Sequence, residues 1–579
     1  MNPKPRTSNP QPFVPADFDA GNFRNIEPLC TRLLERPLES SGDLRRWLLD
    51  LAELMEQVDE CESRRRIDYA CHTDDEEKER AYLHFVREVE PKLKSLFFRL
   101  QKRWLDCPHR AGLDEPSEMM IGRDWAADVE IFREANVPLQ TQETERNTEY
   151  GKICGAMTVD FRGATLTLQQ LARYLEEPDR DTRKEAWRLG AARRLHDRER
   201  IDAIFDELLV LRGQIAANAD FENYRAFAWK AKKRFDYTPD DCTAFADAVE
   251  QHCLPLVEKL DGQRRAELGL ETLRPWDLRV DPRSSPPLRP FDAPDVDGFV
   301  DRTRSIFARI SPGLGEQFEQ LRACGNLDLD SRRDKRPGGF QASLEASKQP
   351  FIFMNAAGLQ RDVDTLLHEG GHAFHYQEAR HRQILFARHA PLEFCEVASM
   401  SMELLGCDHY DAFYGADEPG RADAARAKRL QFEDIVRLLP WVATIDGYQH
   451  WLYTNPGRAL ADRTEAWLNI LDRFSSRIVD WSGLEMERRS MWHRQLHLFG
   501  APFYYIEYGI AQLGALQMWM NYRRRGDEAL RDLRAAFALG GSCPLPQLFQ
   551  TAGIRFDFSD RTVGPLMEEL EEEVLRMME

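Results

Sequence analysis

Asp364-Thr-Leu-Leu-His368-Glu369-Gly370-Gly371-His372-Ala-Phe-His375 carries an HExxH pattern inside a helical run. Positions four apart on an α-helix lie one above the other, so His368 and His372 can present two imidazoles to one zinc ion. Glu369 sits about 100° round from His368, close enough to reach a water held there. A carboxylate so placed can take that water's proton and pass it to a leaving amine. From the His and Glu content of this chain, a chance HExxH is expected only about 0.03 times. The bland alternative is a helix with two surface histidines and a solvated Glu; the flanks DVDTLL and AFHY keep the helical period, so the motif sits inside a helix and not in a loop. Two glycines inside a helix cost roughly 1 kcal/mol each against alanine, which is reasonable only where another chain segment must approach closely.

Zinc needs a third protein ligand and an open fourth position. The next helical stretch, Pro391-Leu-Glu393-Phe-Cys-Glu396-Val-Ala-Ser-Met-Ser-Met-Glu403, offers three carboxylates at spacings of three and seven. Val397, Ala398, Met400 and Leu404 surround them, and a carboxylate in apolar company needs a partner. One could bind metal while another orients a histidine from behind. Spacing does not choose among them.

These segments resemble the M3 family of zinc metallopeptidases. The similarity runs through Pro350-Phe-Ile-Phe-Met-Asn, the HExxH helix and Glu396-Val-Ala-Ser, then through His493-Arg-Gln-Leu-His497-Leu-Phe-Gly-Ala-Pro-Phe-Tyr504-Tyr505-Ile-Glu-Tyr508-Gly. The oligoendopeptidase F branch is the nearer match, and weaker similarity reaches back to about residue 150. The resemblance implies one zinc ion on His368, His372 and Glu396, with Glu369 as general base and Glu403 behind a ligand; Glu393 is the alternative ligand. It also implies a His and two Tyr from the last segment to hold the oxyanion formed at the peptide carbonyl. The expected order is His497 and Tyr508, then Tyr505, then Tyr504, with Glu507 at solvent or in a salt bridge. The family carries a bulky residue after the catalytic Glu where this chain has Gly370, which bears on how the floor of the substrate site is packed.

The implied fold class is mainly α: a two-lobed helical metallopeptidase with a small β-sheet beside the HExxH helix and a deep central channel. The implied function is a zinc-dependent oligoendopeptidase that cuts internal bonds of oligopeptide substrates by attack of a zinc-held water. Two other readings stay open, a zinc carboxypeptidase or dipeptidyl carboxypeptidase on a similar framework and a non-catalytic helical binding protein.

Outward from the motif, 339–345 and 350–355 read as two short strands whose open edge could align an extended peptide. A second hairpin is expected around Arg162-Gly163 in CGAMTVDFRGATLTL. Helical periods cover 22–107, 168–218, 295–323 and most of the chain from 361 onward, with a Pro-rich loop at 279–292. The expected organisation is a disordered or extended tail over 1–18, an N-terminal helical region over 19–200 and a catalytic region over 201–579. His375 lies one turn from His372 and is expected behind the metal; His381, His389, His409 and His493 are expected at the surface.

The 579 residues hold 98 acidic against 79 basic side chains, a net charge of −19. That field repels phosphate backbones and argues against nucleic acid as a partner. No apolar run of about 18 residues suggests a membrane span. Eleven cysteines without a CxxC read as free thiols in a reducing compartment, and the Pro-rich start lacks a signal peptide's apolar stretch, so the cytoplasm is expected. Spacing and composition say nothing of oligomeric state.

Overall fold

Leu44, Trp47, Leu48, Leu51, Leu54 and Met55 recur at helical spacing and are buried along one face of a 31-residue helix. Ser40 starts that helix by accepting the amide N–H of Asp43. In the computed structural model, which describes residues 12–578 apart from 284, 294, 333, 334 and 337, this pattern is general: the chain is mainly helical, with two small sheets.

The N-terminal part contains α1 (Phe23–Glu35), α2 (Ser41–Cys71), α3 (Glu90–Asp106) and α4 (Pro116–Ile131). They enclose an apolar core of their own, into which the distant Leu385 inserts. A second, larger core runs from Tyr150 to Val574. The division between cores therefore falls between residues 125 and 150, and the expected boundary at 200 lies inside the larger one. Residues 1–11 of the expected tail lie outside the described residues. Residues 12–18 are draped on the N-terminal core: Phe13 and Val14 are buried, and their amides donate to Glu53.

Strands β1 (Thr158–Phe161) and β2 (Ala164–Thr167) form the expected hairpin. Its two-residue turn places Arg162 and Gly163 at φ +52° and +84°, the positive values a tight hairpin demands. Helices α5 (Pro239–Glu267) and α6 (Val296–Ile310) follow, separated by the irregular Pro-rich segment. The second sheet contains β3 (Leu327–Asp330), β4 (Phe340–Leu344) and β5 (Gln349–Ala356) in the order β3-β5-β4. β4 is antiparallel to β5, as expected; β3 is an additional strand, parallel to β5.

Helix α7 (Gln360–Ala379) carries the HExxH motif and packs against β4, β5 and α8 (Leu392–Gly406). α8 lies in turn on α10 (Tyr505–Arg525), and the 37-residue α9 (Glu418–Thr454) packs against α5 and α10. Among the described residues no helix is long and apolar enough to cross a membrane.

Candidate metal centre and active site

Two absent side chains let neighbouring helices close on α7, α8 at one and α6 at the other. A Cβ on Gly371 would lie 2.5 Å from Ser399 Cα and 2.6 Å from Ala398 O, so the backbone of α8 occupies that space. A Cβ on Gly370 would lie 2.5 Å from the ring of Phe307 on α6. Phe307 thus packs the place beside Glu369.

The close approach brings Glu396 of α8 to the two histidines of α7. Its Oε2 is 3.4 Å from His368 Nε2 and 3.7 Å from His372 Nε2, and the three donor atoms lie within 4.8 Å of one another. Glu396 is 3% exposed, so a carboxylate with no cation at hand would be costly there. Two imidazole nitrogens and one carboxylate oxygen converging on a point are a donor set that zinc takes. The outer nitrogen of His368, Nδ1, is 2.7 Å from Glu403 Oε1, and Gln431 donates to the other oxygen of Glu403 at 2.8 Å. That leaves Nε2 of His368 free to face the shared point.

The charged groups of the site act strongly on one another. Burial works to depress His368, but Glu396 and Glu403 on either side hold its proton well above the usual range. In His372 burial prevails and pushes the ring down to about 4. Burial opposes ionisation of Glu396 too, yet His372 and His368 keep it down at about 2. Glu369 is 7% exposed and burial pushes its carboxyl up to about 7.

Glu369 also touches the sheet. Ile352 donates its N–H toward Asn326 on the β3 side, so its partner across the ladder, Gln341 of β4, turns its main-chain groups outward. The Gln341 N–H meets the carboxylate of Glu369. The open edge of β4 therefore runs beside the general-base candidate.

The aromatic block closes the other side. Tyr504 donates its hydroxyl to Glu396 Oε1 at 2.6 Å, and Ser399 donates to Oε2 at 3.1 Å. His497 Nε2 and the Tyr508 hydroxyl are 3.2 Å apart. Burial pushes His497 down to about 4. Tyr505 turns elsewhere, with its hydroxyl beside Trp441 and Gln495. The structure thus brings Tyr504 to the ligand set and Tyr508 to His497, while Tyr505 stands behind them. This block is fixed from below. Phe503, at φ +62°, donates its N–H to Gln449 at 2.6 Å and gives its carbonyl to Arg234. Arg234 also holds Glu507 at 2.9 Å, so Glu507 is buried in an ion pair and not at solvent.

Glu393 is not in the ligand set: it accepts the Tyr237 hydroxyl at 2.7 Å on another side of α8. His375 packs between Phe394 and Phe537, away from the ligands, and burial pushes it down to about 3. His493, expected at the surface, is 5% exposed and bound to Asp202 at 2.8 Å. Cys242, Asp446 and His450 also converge, with His450 Nε2 3.1 Å from Asp446 and Arg225 3.5 Å from the other ring nitrogen. Sequence reasoning missed Ser399, Gln431, Gln341, Gln495 and Trp441. Gln495, two residues from His497, and Ser399, one helical turn from Glu396, left a local signal.

The model of peptidase family M3 matches residues 173–286 and 316–565, and that of the family's N-terminal domain matches 13–132. Among solved structures, one described as an oligoendopeptidase F is 28% identical over 97% of this chain and 98% of its own, with a TM-score of 0.90. PZ peptidase A, solved with an inhibitor, is 27% identical over 97% and 99%, with a TM-score of 0.91. A structure described as an oligoendopeptidase F from Bacillus anthracis str. Ames shares the fold at 24% identity over 97% of each chain, with a TM-score of 0.86. No curated protein sequence matches the chain.

Proposed function

This chain belongs to peptidase family M3 and is a metallopeptidase, and from that premise we propose that it is a zinc-dependent oligoendopeptidase cutting internal bonds of short peptides. The observation that carries the reading is the convergence of His368, His372 and Glu396 on one point, with Glu369 between that point and the edge of β4.

His368, His372 and Glu396 would hold one zinc ion. When bound, zinc supplies positive charge that acidifies a water and polarises a peptide carbonyl. Glu403, backed by Gln431, orients His368 from behind. Tyr504 and Ser399 hold Glu396 in one rotamer. An extended peptide added to the edge of β4 would be recognised by its main chain rather than its side chains. Glu369 takes a proton from the attacking water and returns it to the leaving amine. His497 and Tyr508 present donors to the oxygen on which negative charge grows. The ligand histidines are 20% and 18% exposed, which suits access by flexible peptides. Eleven free cysteines fit a reducing compartment, and we place the enzyme in the cytoplasm.

Metal analysis of the purified chain should return one zinc. A fluorogenic peptide blocked at both ends should be cleaved internally, chelation should abolish the cleavage, and added zinc should restore it. Cleavage confined to peptides with a free C-terminus would replace the endopeptidase reading with a carboxypeptidase one. Absence of both metal and cleavage would leave a binding protein.

A further inference from the structure

His497 has two ring nitrogens, and the one that bears the proton decides what the ring can do. Nε2 faces the Tyr508 hydroxyl at 3.2 Å, and Nδ1 is 2.7 Å from the side-chain amide of Gln495. The two ends of an amide have the same shape, so its partners must decide its orientation. Here one partner allows no choice. The indole N–H of Trp441 lies 3.0 Å from the other end of the Gln495 amide, and an indole nitrogen only donates. The atom it meets must be the amide oxygen, and the NH2 must face His497. An amide NH2 also only donates. Nδ1 must therefore accept, and the single proton of the neutral ring must sit on Nε2. Gln495 is buried, and the Tyr505 hydroxyl lies within reach of both Trp441 and Gln495, so the amide has little room to turn.

We propose that Gln495, held by Trp441, is the positioning residue that fixes His497 as its Nε2–H tautomer and so makes the neutral ring a donor to the oxyanion. The inference deepens the peptidase reading above and rests on it. In the other tautomer Nε2 would turn a lone pair toward the growing negative charge. The chain of donors from Trp441 through Gln495 to His497 runs one way and ends at the reacting oxygen. Tyr505 belongs to this bracket.

The tautomer can be read directly from ring-15N histidine spectra of the full chain, with the His497 signal identified by its loss in His497→Gln. The wild-type ring should show a protonated Nε2 and a bare Nδ1, with or without added zinc. Gln495→Glu keeps the shape but only accepts. At about pH 8.5, well above the ordinary imidazole range, its His497 should carry the proton on Nδ1. There kcat should fall by about 10²-fold, as for loss of one oxyanion donor, with KM changed less than about threefold. Gln495→Met, matched in size and without a donor, should populate both tautomers and lose less. Trp441→Phe keeps the bulk and frees the amide, and should fall between wild type and Gln495→Glu. A wild-type ring protonated on Nδ1 overturns the proposal whatever the activity, as does a Gln495→Glu enzyme with the tautomer reversed and kcat intact. A correct tautomer in a protein that cleaves no peptide overturns the peptidase reading instead.

Discussion

Glu369 is buried beside the main-chain N–H of Gln341, so its exchange for glutamine would remove the proposed base and leave the proposed metal ligands in place. Glu369→Gln should keep zinc and lower kcat by about 10²–10⁴-fold, the usual worth of a positioned acid–base group. Metal content and turnover measured on one preparation check both halves. Glu403→Gln should act differently. It loosens His368 and should weaken zinc about 10–100-fold by chelator competition, with activity regained at high zinc. Tyr508→Phe should lower kcat far more than it raises KM, whereas Tyr504→Phe should be read chiefly in zinc affinity, because its hydroxyl is spent on Glu396. At this scale His368, Glu369 and His372 were legible because a fixed spacing on one helix suffices to bring them together. The roles of the tyrosines were not. Periodicity tells which residues share a face of α10, but the direction that face takes is set by the turn at Phe503 and by Arg234, both fixed through distant contacts.

Among elements, the meeting of α7 with α8 sets the ligand geometry. Gly371→Ala drives a methyl into the backbone of α8, which cannot give way as a side chain can. It should destabilise the fold by about 1–3 kcal/mol, the usual cost of overpacking, and lower zinc occupancy. Gly370→Ala meets only the ring of Phe307 and should cost less. Denaturant midpoints for the two variants check the order. The edge of β4 makes its own prediction. A substrate N-methylated at an amide that pairs with this edge should bind about 5–10-fold more weakly, the worth of one hydrogen bond of about 1 kcal/mol. A scan of methylated peptides with equal KM throughout would remove the edge from substrate binding. The glycine pair announced a close approach in the sequence, and the β4–β5 hairpin was visible from its alternation. β3 was invisible: four residues of alternating Leu and Asp acquire strand character only by pairing with β5.

Across the whole molecule, the N-terminal helices and the catalytic part are joined at a buried charged seam. Arg388 binds Glu345 at 3.1 Å and also Glu56 of α2, and His389 binds Glu345 at 2.7 Å. On the same seam burial, helped by Glu345, pushes Asp59 of α2 up to about 7. A carboxyl whose folded value lies above its unfolded one binds more protons folded than unfolded. Its effect is absent below about pH 4, and its penalty grows until the pH passes about 7. Asp59→Asn should therefore gain stability relative to wild type as pH rises from about 5 to 8, and urea titrations at each pH check the divergence. The mainly helical class could be read from the sequence, but the division between the cores could not, because helical periods on both sides of residue 130 look alike and only their burial partners differ.

Leu385 fills a notch built by residues 13–125. A ribosome adds roughly 5–20 residues per second, so this plug emerges about 260 residues and some 13–50 s after the notch has been made. Through that interval the N-terminal helices lack the side chain that completes their apolar core, which is finished only when the segment preceding α8 arrives.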